Sequence, residues 1–134
     1  MAFTYTGFVG NVSGMTITGV TRRYTSPPSQ LNTADLPASY PRLPGGDDQI
    51  VTLAHGKGLS SAVLELCIVL EPVRQSSTSV TYAAALTMLD AIKAALVTNA
   101  STYSIDAWNI QLEISQIGDV DYWQLVARVQ GSNV

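Results

Sequence analysis

Charge is what this sequence lacks most. Lysine, arginine, aspartate and glutamate make up 13% of its 134 residues, about half of the roughly 25% that is typical of a soluble domain. We therefore expect part of the surface to be covered by other subunits. The seven basic and ten acidic side chains leave a net charge of −3. This balance argues against direct, sequence-specific nucleic acid binding, because phosphate recognition needs a basic stripe.

Cysteine and histidine are equally scarce. Cys67 is the single cysteine and lies within the apolar run LELCIVL, where a thiol is usually a small core side chain. His55 is the single histidine, and it has no companion at zinc-ligand spacing. No GxSxG motif is present, and the HGKG stretch is too short for a phosphate-binding loop. We predict no catalytic residue, no metal ligand and no cofactor, and we expect that the protein is not an enzyme.

Long hydrophobic runs are also missing. The longest, VLELCIVL, is interrupted by Glu65 and is far shorter than the roughly 20 residues of a transmembrane helix. The N-terminus has no basic segment of the kind that opens a signal peptide. We expect a protein that is made and assembled in the cytoplasm and has no membrane partner.

The first 14 residues combine glycine, threonine and aromatics without a helical period, which predicts an extended arm. Its aromatic residues, Phe3, Tyr5 and Phe8, are unusual for a disordered tail. Two interpretations stay open. The arm docks on a neighbouring subunit, or it forms a short edge strand on its own domain.

The rest of the first half is predicted to be mostly β-structure. MTITGVTRRY (15–24) alternates and is rich in β-branched residues, which favours a strand. PASYPRL (37–43) is expected to be extended and to lie at a sheet edge, because proline cannot donate to a central ladder. PGGDD (44–48) is predicted to be a turn, and QIVTLAHG (49–56) a strand.

Apolar residues occupy both faces of LSSAVLELCIVLEPV (59–73), which predicts a central strand. Residues 76–100 are predicted to form the one main helix. Its apolar stripe follows helical spacing and comprises Val80, Ala85, Leu86, Leu89, Ile92, Ala95 and Leu96.

The C-terminal third alternates strictly on both sides of a GDVD turn and predicts a β-hairpin. The core face of the first strand is expected to hold Trp108, Ile110, Leu112 and Ile114. On the second strand, Trp123 is the first residue expected to face the core. Both tryptophans are therefore interpreted as core residues rather than as a platform that binds carbohydrate. The fold class is α+β. We predict one domain (1–134), an extended arm (1–14) and a core (15–134) whose mostly antiparallel or mixed sheet has one main helix packed across a face.

Acidic residues cluster in the predicted turns. In TADLP, Asp35 is either a general acid or a turn-former whose carboxylate accepts local backbone N–H groups while Pro37 sets the exit, and the second interpretation is favoured. The pairs Asp47–Asp48 and Asp119–Asp121 lack the longer ligand pattern of a calcium loop, so we interpret them as solvated turn residues.

Four stretches carry a resemblance to a known family: NTADLPASYPRL, AVLELCIVLEPVRQ, YAAALTMLDAIKAAL and the terminal hairpin. Together they resemble the tail terminator proteins of long-tailed bacteriophages, over roughly residues 33 to 130. In that family an Ala-Asp-Leu-Pro-Ala step leads into an edge strand. A long strand ending in proline, one helix and a hairpin follow. One departure is that family members usually begin with a helix, whereas this chain begins with a Gly/Thr-rich segment.

The resemblance implies a ring-shaped homo-oligomer, commonly a hexamer, at the head-proximal end of the virion tail. Such a ring caps the tube of major tail protein, stops its polymerisation and offers a surface to the head-completion or connector protein. Subunit contacts are then the function. The candidate contact regions are the aromatic arm, the segment Asp35–Arg42 and the loop Gly45–Lys57. Candidate ion pairs between subunits join Arg22, Arg23, Arg42 and Arg74 to Asp47, Asp48, Asp119 and Asp121.

Other functions remain open from sequence alone. The chain fits another tail-completion, neck or head–tail connector protein, and it fits a small non-viral binding module. A tail-tube subunit is less compatible, because it would need longer strands for an inner barrel. A strictly monomeric protein that does not bind tail tubes would favour the interpretation as a binding module.

Overall fold

The computed structural model describes residues 4–50, 58–73 and 78–132. In chain order the elements are helix α1 (Tyr5–Ser13), strand β1 (Arg22–Arg23), a short 3-10 helix (Thr33–Asp35), strands β2 (Ala38–Ile50) and β3 (Gly58–Pro72), helix α2 (Thr78–Asn99), and strands β4 (Ile105–Ile117) and β5 (Val120–Ser132). The strands form one five-stranded sheet in the order β1-β2-β3-β5-β4. The α+β fold class is confirmed.

The sheet is antiparallel except at one edge. β2 pairs with β3, β3 with β5, and β5 with β4, all antiparallel, whereas β1 is parallel to β2. β3 therefore lies in the centre, as the apolar character of both of its faces predicts. The β4–β5 hairpin is also confirmed, and its turn contains Gly118 at φ 64°, a left-handed conformation that glycine adopts without steric cost.

The main core lies between the sheet and the two helices. Its fully buried side chains include Leu64, Leu66 and Ile68 of β3 and Ile92 and Leu96 of α2. A smaller apolar cluster lies on the opposite face of the sheet, where Tyr40, Cys67 and Tyr122 are buried. The segment that contains Tyr24, Leu31 and Leu36 packs against this cluster. Both faces of the central strands are therefore covered at one end of the sheet.

The prediction of an extended N-terminal arm is wrong, because Tyr5–Ser13 form α1. The Thr4 side chain caps the helix by accepting the N–H of Gly7. Phe8 is 3% exposed and Val12 is fully buried, one turn apart on the face that packs on the core. Helices of this length depend on tertiary packing rather than on helix propensity. A Gly/Thr-rich sequence gives no indication of that packing.

The predicted strand 15–24 shrinks to the two residues of β1. Its alternation is nevertheless real, since Met15 and Ile17 are buried in the main core while Thr16 and Thr18 are exposed. Alternation reports which side chains face inward, but it does not supply a neighbouring strand to pair with.

The predicted turn at residues 44–48 is wrong as well. Gly45–Gly46–Asp47–Asp48 belong to β2 and pair with Val63 to Ser60 of β3. The pairing register shifts between Arg42 and Gly45, and Leu43 and Pro44 lie in the resulting bulge. Such a bulge lets a proline stay in a strand without interrupting the ladder beyond it.

α2 lies close to the predicted range 76–100, and it ends at Asn99, whose side-chain amide donates to the Ala95 carbonyl at 2.8 Å. Its buried face comprises Ala85, Met88, Ile92, Ala95 and Leu96. Leu86, assigned to this face by the sequence, is 47% exposed. The described residues include no helix that is both long and apolar enough to cross a membrane.

Candidate functional site

Charged side chains form a network on the sheet face opposite the helices. Nε of Arg42 donates to a Glu65 carboxylate oxygen at 2.8 Å. The second Glu65 oxygen lies 3.7 Å from Arg128, and a second Arg42 nitrogen lies 3.6 Å from Glu113. The network joins β2, β3, β5 and β4, and its two arginines balance its two glutamates. This neutral, mutually paired face is suited to a structural role.

A buried hydrogen-bond chain adjoins this network. The Tyr40 hydroxyl donates to the Gln124 carbonyl oxygen at 3.0 Å, and the Gln124 amide donates to Glu113 at 2.8 Å. Gln124 has no exposed surface, so both of its polar ends depend on these partners. Burial raises the pKa of the Tyr40 hydroxyl to about 12, which keeps it protonated as a donor.

Cys67 lies beside Tyr40 and is fully buried. Burial raises the pKa of its thiol to about 11. A nucleophilic or redox-active cysteine has a lowered pKa and partial exposure. The sequence-based interpretation of Cys67 as a core side chain is confirmed.

Asp35 lies in the 3-10 turn, but it does not form the turn in the predicted way. The local side-chain bond is made by Asn32, which accepts the Ala34 N–H at 3.0 Å. The Asp35 carboxylate instead pairs with Arg22 at 3.2 Å, and the Arg22 guanidinium lies 4.7 Å from the centre of the Tyr24 ring. Arg22 and Asp35 are thus engaged with each other and hold this turn against β1.

Arg23 binds the C-terminal end of α1. Its guanidinium donates to the Gly14 carbonyl at 2.8 Å, and the Thr16 hydroxyl lies 3.4 Å away. A cation at this position satisfies a free helix carbonyl and complements the helix dipole. Of the four arginines predicted to pair between subunits, Arg22 and Arg42 have carboxylate partners within the chain, Arg23 has this cap, and Arg74 lies outside the described residues.

The predicted contact residues of the arm separate into different environments. Phe8 is a core residue and is not available to a neighbour. Tyr5 lines a groove of about 910 Å³ between α1, the segment after β1, and β2. Phe3 lies outside the described residues, as do Lys57 and His55.

The remaining predicted contact residues lie at the ends of strands. Asp47 and Asp48 are in β2, opposite Ser61 and Ser60 of β3. Asp119 is exposed and lies in the turn between β4 and β5, and Asp121 is the second residue of β5. Nothing in the described parts of the chain groups three or more potential metal ligands together.

The sequence misassigned two apolar residues of β4. Leu112 and Ile114 lie on the same face of the sheet as Trp108 and Ile110, but they are 43% and 53% exposed. Trp108, Ile110 and Trp123 are partly buried and pack against the main core, so both tryptophans lie on the core side of the sheet, as predicted. The core does not reach the later part of β4.

β4 is the edge of the sheet. It pairs only with β5 in the described part of the chain, which leaves the outer side of a 13-residue strand unpaired. Other large apolar side chains are also exposed, among them Tyr82 at 62% and Leu86 at 47%. Residues 105–117 contain no lysine or proline, the residues that often mark an edge strand in a sequence, so the sequence did not identify β4 as an edge.

No protein-family model matches this chain, and no curated protein matches its sequence. The chain's own residues are therefore the basis for assigning a function.

Proposed function

We propose that this protein is a structural component of a virion, a tail terminator of the kind found in long-tailed bacteriophages. It assembles as a ring, six subunits being the number that the resemblance implies. The ring sits on the head-proximal end of the tail, stops tube growth and joins the head connector. Assembly takes place in the host cytoplasm. Its partners are further copies of itself, the major tail tube protein and the head-completion protein.

The sequence resemblance over about residues 33 to 130 supports this proposal, and the N-terminal helix strengthens it. The family usually begins with a helix, and the Gly/Thr-rich start of this chain stood apart from that pattern. α1 (Tyr5–Ser13) removes the departure. The chain order of helix, strand, long central strand, main helix and hairpin supports the proposal. The strand that follows the ADLPA step, β2, was predicted to lie at the sheet edge, but the two-residue strand β1 lies outside it.

The unpaired edge of β4 is the observation that carries the proposal. A long edge strand with exposed apolar side chains is a pairing site for another chain, and soluble monomers usually blunt such edges with lysine, proline or a covering loop. Residues 105–117 of β4 contain no lysine, arginine or proline, and Leu112 and Ile114 are about half exposed. A surface of this kind is stabilised when a second subunit covers it.

The polar network fits a protein that works through assembly. Arg42, Glu65, Glu113 and Arg128 are paired with one another within the chain. The sheet face therefore keeps its charges balanced whether it faces water or the lumen of a ring.

Light scattering of the purified protein across concentration and salt tests the proposal. We expect a ring-sized species, or a monomer that becomes a ring when purified tail tubes are added. Electron microscopy of the same mixtures should show density only at one end of each tube, and added protein should stop tube elongation. A chain that stays monomeric and ignores tubes at every concentration would contradict the proposal.

The same experiment separates the alternative functions. A neck or connector protein would bind the head-proximal complex but leave tube elongation unchanged. A non-viral binding module would show neither activity.

A further inference from the structure

A groove lies at the edge of the sheet opposite β4. It has a volume of about 910 Å³, which is within the range of roughly 300–1,000 Å³ for pockets that bind drug-sized molecules. Its apolar and aromatic lining comprises Tyr5, Val9, Tyr24, Pro27 and Pro41. The groove is therefore large enough to receive several aliphatic side chains.

The groove is not suited to a strand that would extend the sheet by pairing with β2. The Ser39 carbonyl accepts the Tyr24 N–H at 2.7 Å, so the Ser39 peptide faces the outer edge of β2. Pro41 is two residues further along the strand and faces the same way. Since proline has no N–H to donate, an occupant must bind here through its side chains.

The charges of the two sheet edges are complementary. The described lining of the groove includes Arg23 and Arg42 and no acidic residue. Arg42 already pairs with Glu65, whereas none of the ion pairs among the described residues includes Arg23, whose side chain is exposed.

The opposite edge is acidic. Residues 105–121, which span β4 and the turn after it, contain no lysine or arginine. Glu113 already pairs with Arg42, whereas none of the ion pairs among the described residues includes Asp106, Asp119 or Asp121. Electrostatic complementarity of this kind selects partners and sets their orientation.

We propose that the groove binds the β4 edge of a second copy of this chain. Leu112 and Ile114 of one subunit enter the groove of the next, and the acidic residues around them approach Arg23. This inference rests on the proposed assembly and deepens it by naming both sides of the joint.

The placement of the two surfaces gives the contact a direction. They lie on opposite edges of the sheet, four strand spacings or about 19 Å apart, so one subunit can use both at once. A contact between two different surfaces is head-to-tail, and its repetition closes a ring when the rotation permits.

Two variants, each blocking one surface, test the joint. Ile114→Lys places a cation on the β4 edge, where it would face Arg23. Gly10→Glu places an acid inside the groove. Gly10 lines the groove, and a Cβ added there meets no described atom within 4 Å, so the fold tolerates the change. We expect each variant alone to weaken self-association roughly tenfold or more, because both oppose like charges across the contact.

Mixing the two variants is the decisive experiment. Each retains the surface that the other lacks, and the two substituted surfaces carry opposite charges, the cation of Ile114→Lys and the acid of Gly10→Glu. An equimolar mixture should therefore regain the assembly that neither variant forms alone. Sedimentation velocity distinguishes this mixed assembly from the monomeric variants.

Each variant has a matched control. Val97→Lys changes an exposed apolar residue of similar accessibility, 58% against 53% for Ile114, on α2. Asn11→Glu adds the same charge as Gly10→Glu at a neighbouring exposed position of α1 that does not line the groove. Both controls should assemble like the wild-type protein.

Several results would overturn the joint. Rings that form unchanged from either variant would place the contact elsewhere. Dimers of Gly10→Glu alone would indicate that β4 edges pair with each other. Loss of tube binding by Ile114→Lys without loss of self-association would make the tube the partner of β4.

One further result separates this inference from the proposed function. Tail tubes that are capped equally well by the wild-type protein, by Ile114→Lys and by Gly10→Glu would refute the joint, because the cap would then form without either surface. The tail terminator proposal would stand in that case.

Discussion

At the scale of single residues, Gln124 connects strands β2 and β4 through buried hydrogen bonds. It lies in β5, receives the Tyr40 hydroxyl from β2 across β3, and donates to Glu113 of the adjacent β4. A fully buried amide without these partners would cost about 1–3 kcal/mol. Tyr40 and Cys67 are both buried in the apolar cluster on this face of the sheet, which ties their protonation to folding.

We expect the chain to lose stability as the pH rises above about 9. Burial raises the pKa of Cys67 from 9.0 to about 11 and that of Tyr40 from 10.0 to about 12. Below pH 9 both groups are protonated in the folded and unfolded states, so their contribution to stability is fully present. Above it the unfolded state loses its protons first, and each group lowers the free energy of unfolding by up to about 1.4 kcal/mol per pH unit.

Urea denaturation between pH 8 and 11 measures this effect. Cys67→Ala serves as the comparison, because it removes the thiol titration and should flatten the decline between pH 9 and 10. The variant's lower stability at neutral pH does not affect that slope. Equal slopes in the two proteins would show that the thiol ionises as readily in the folded chain as in the unfolded one.

At the scale of elements, the contact between α1 and the sheet depends on a glycine. A Cβ placed on Gly131 of β5 would collide with the Phe8 ring and lie 2.8 Å from the Ser104 carbonyl oxygen. Real side chains essentially never approach backbone so closely. α1 can pack on β5 because Gly131 has no side chain.

Gly131→Ala is therefore expected to destabilise the fold by about 1–3 kcal/mol, the usual cost of overpacking a core. Gly10→Ala is the matched control. It lies on the side of α1 where added atoms meet open space, and it should stabilise the chain by up to about 1 kcal/mol, since alanine is the better helix former. Chemical denaturation of both variants checks the opposite signs. Equal effects would mean that α1 does not pack on Gly131.

β4 shows why the core could be only partly predicted. Its alternation correctly assigns Trp108 and Ile110 to the core side, but the same pattern places Leu112 and Ile114 there. Periodicity along a strand reports which side chains share a face, and it contains no information on how far a helix covers that face. The extent of cover depends on where α2 crosses the sheet.

At the scale of the whole molecule, the two sides of the sheet differ in how firmly they are held. β3 is paired on both sides, with β2 and β5, and its side chains are buried on both faces from Leu66 to Val69. β4 is paired on one side only. The most stable part of the molecule is therefore its centre, and the surface proposed for assembly lies at its margin.

Native-state hydrogen exchange should show this difference. We expect amides of Leu66 to Val69 to exchange only through global unfolding, and every second amide of β4, pointing away from β5, to exchange fast in the monomer. These β4 amides should slow when the protein assembles, because a neighbouring subunit excludes water from them. Unchanged β4 exchange in the assembled state would place the contact on another surface.

Sequence patterns alone determined the α+β class, the central position of β3, the range of α2 and the C-terminal hairpin. Each of these rests on local periodicity or turn chemistry, which acts between near neighbours in the chain. The structure of the N-terminus was decided by tertiary contacts, since Gly7 and Gly10 each disfavour a helix by about 1 kcal/mol and the burial of Phe8 and Val12 compensates. The groove and the open edge of β4 were likewise decided by tertiary structure, because strand order and helix placement arise from contacts between residues far apart in sequence.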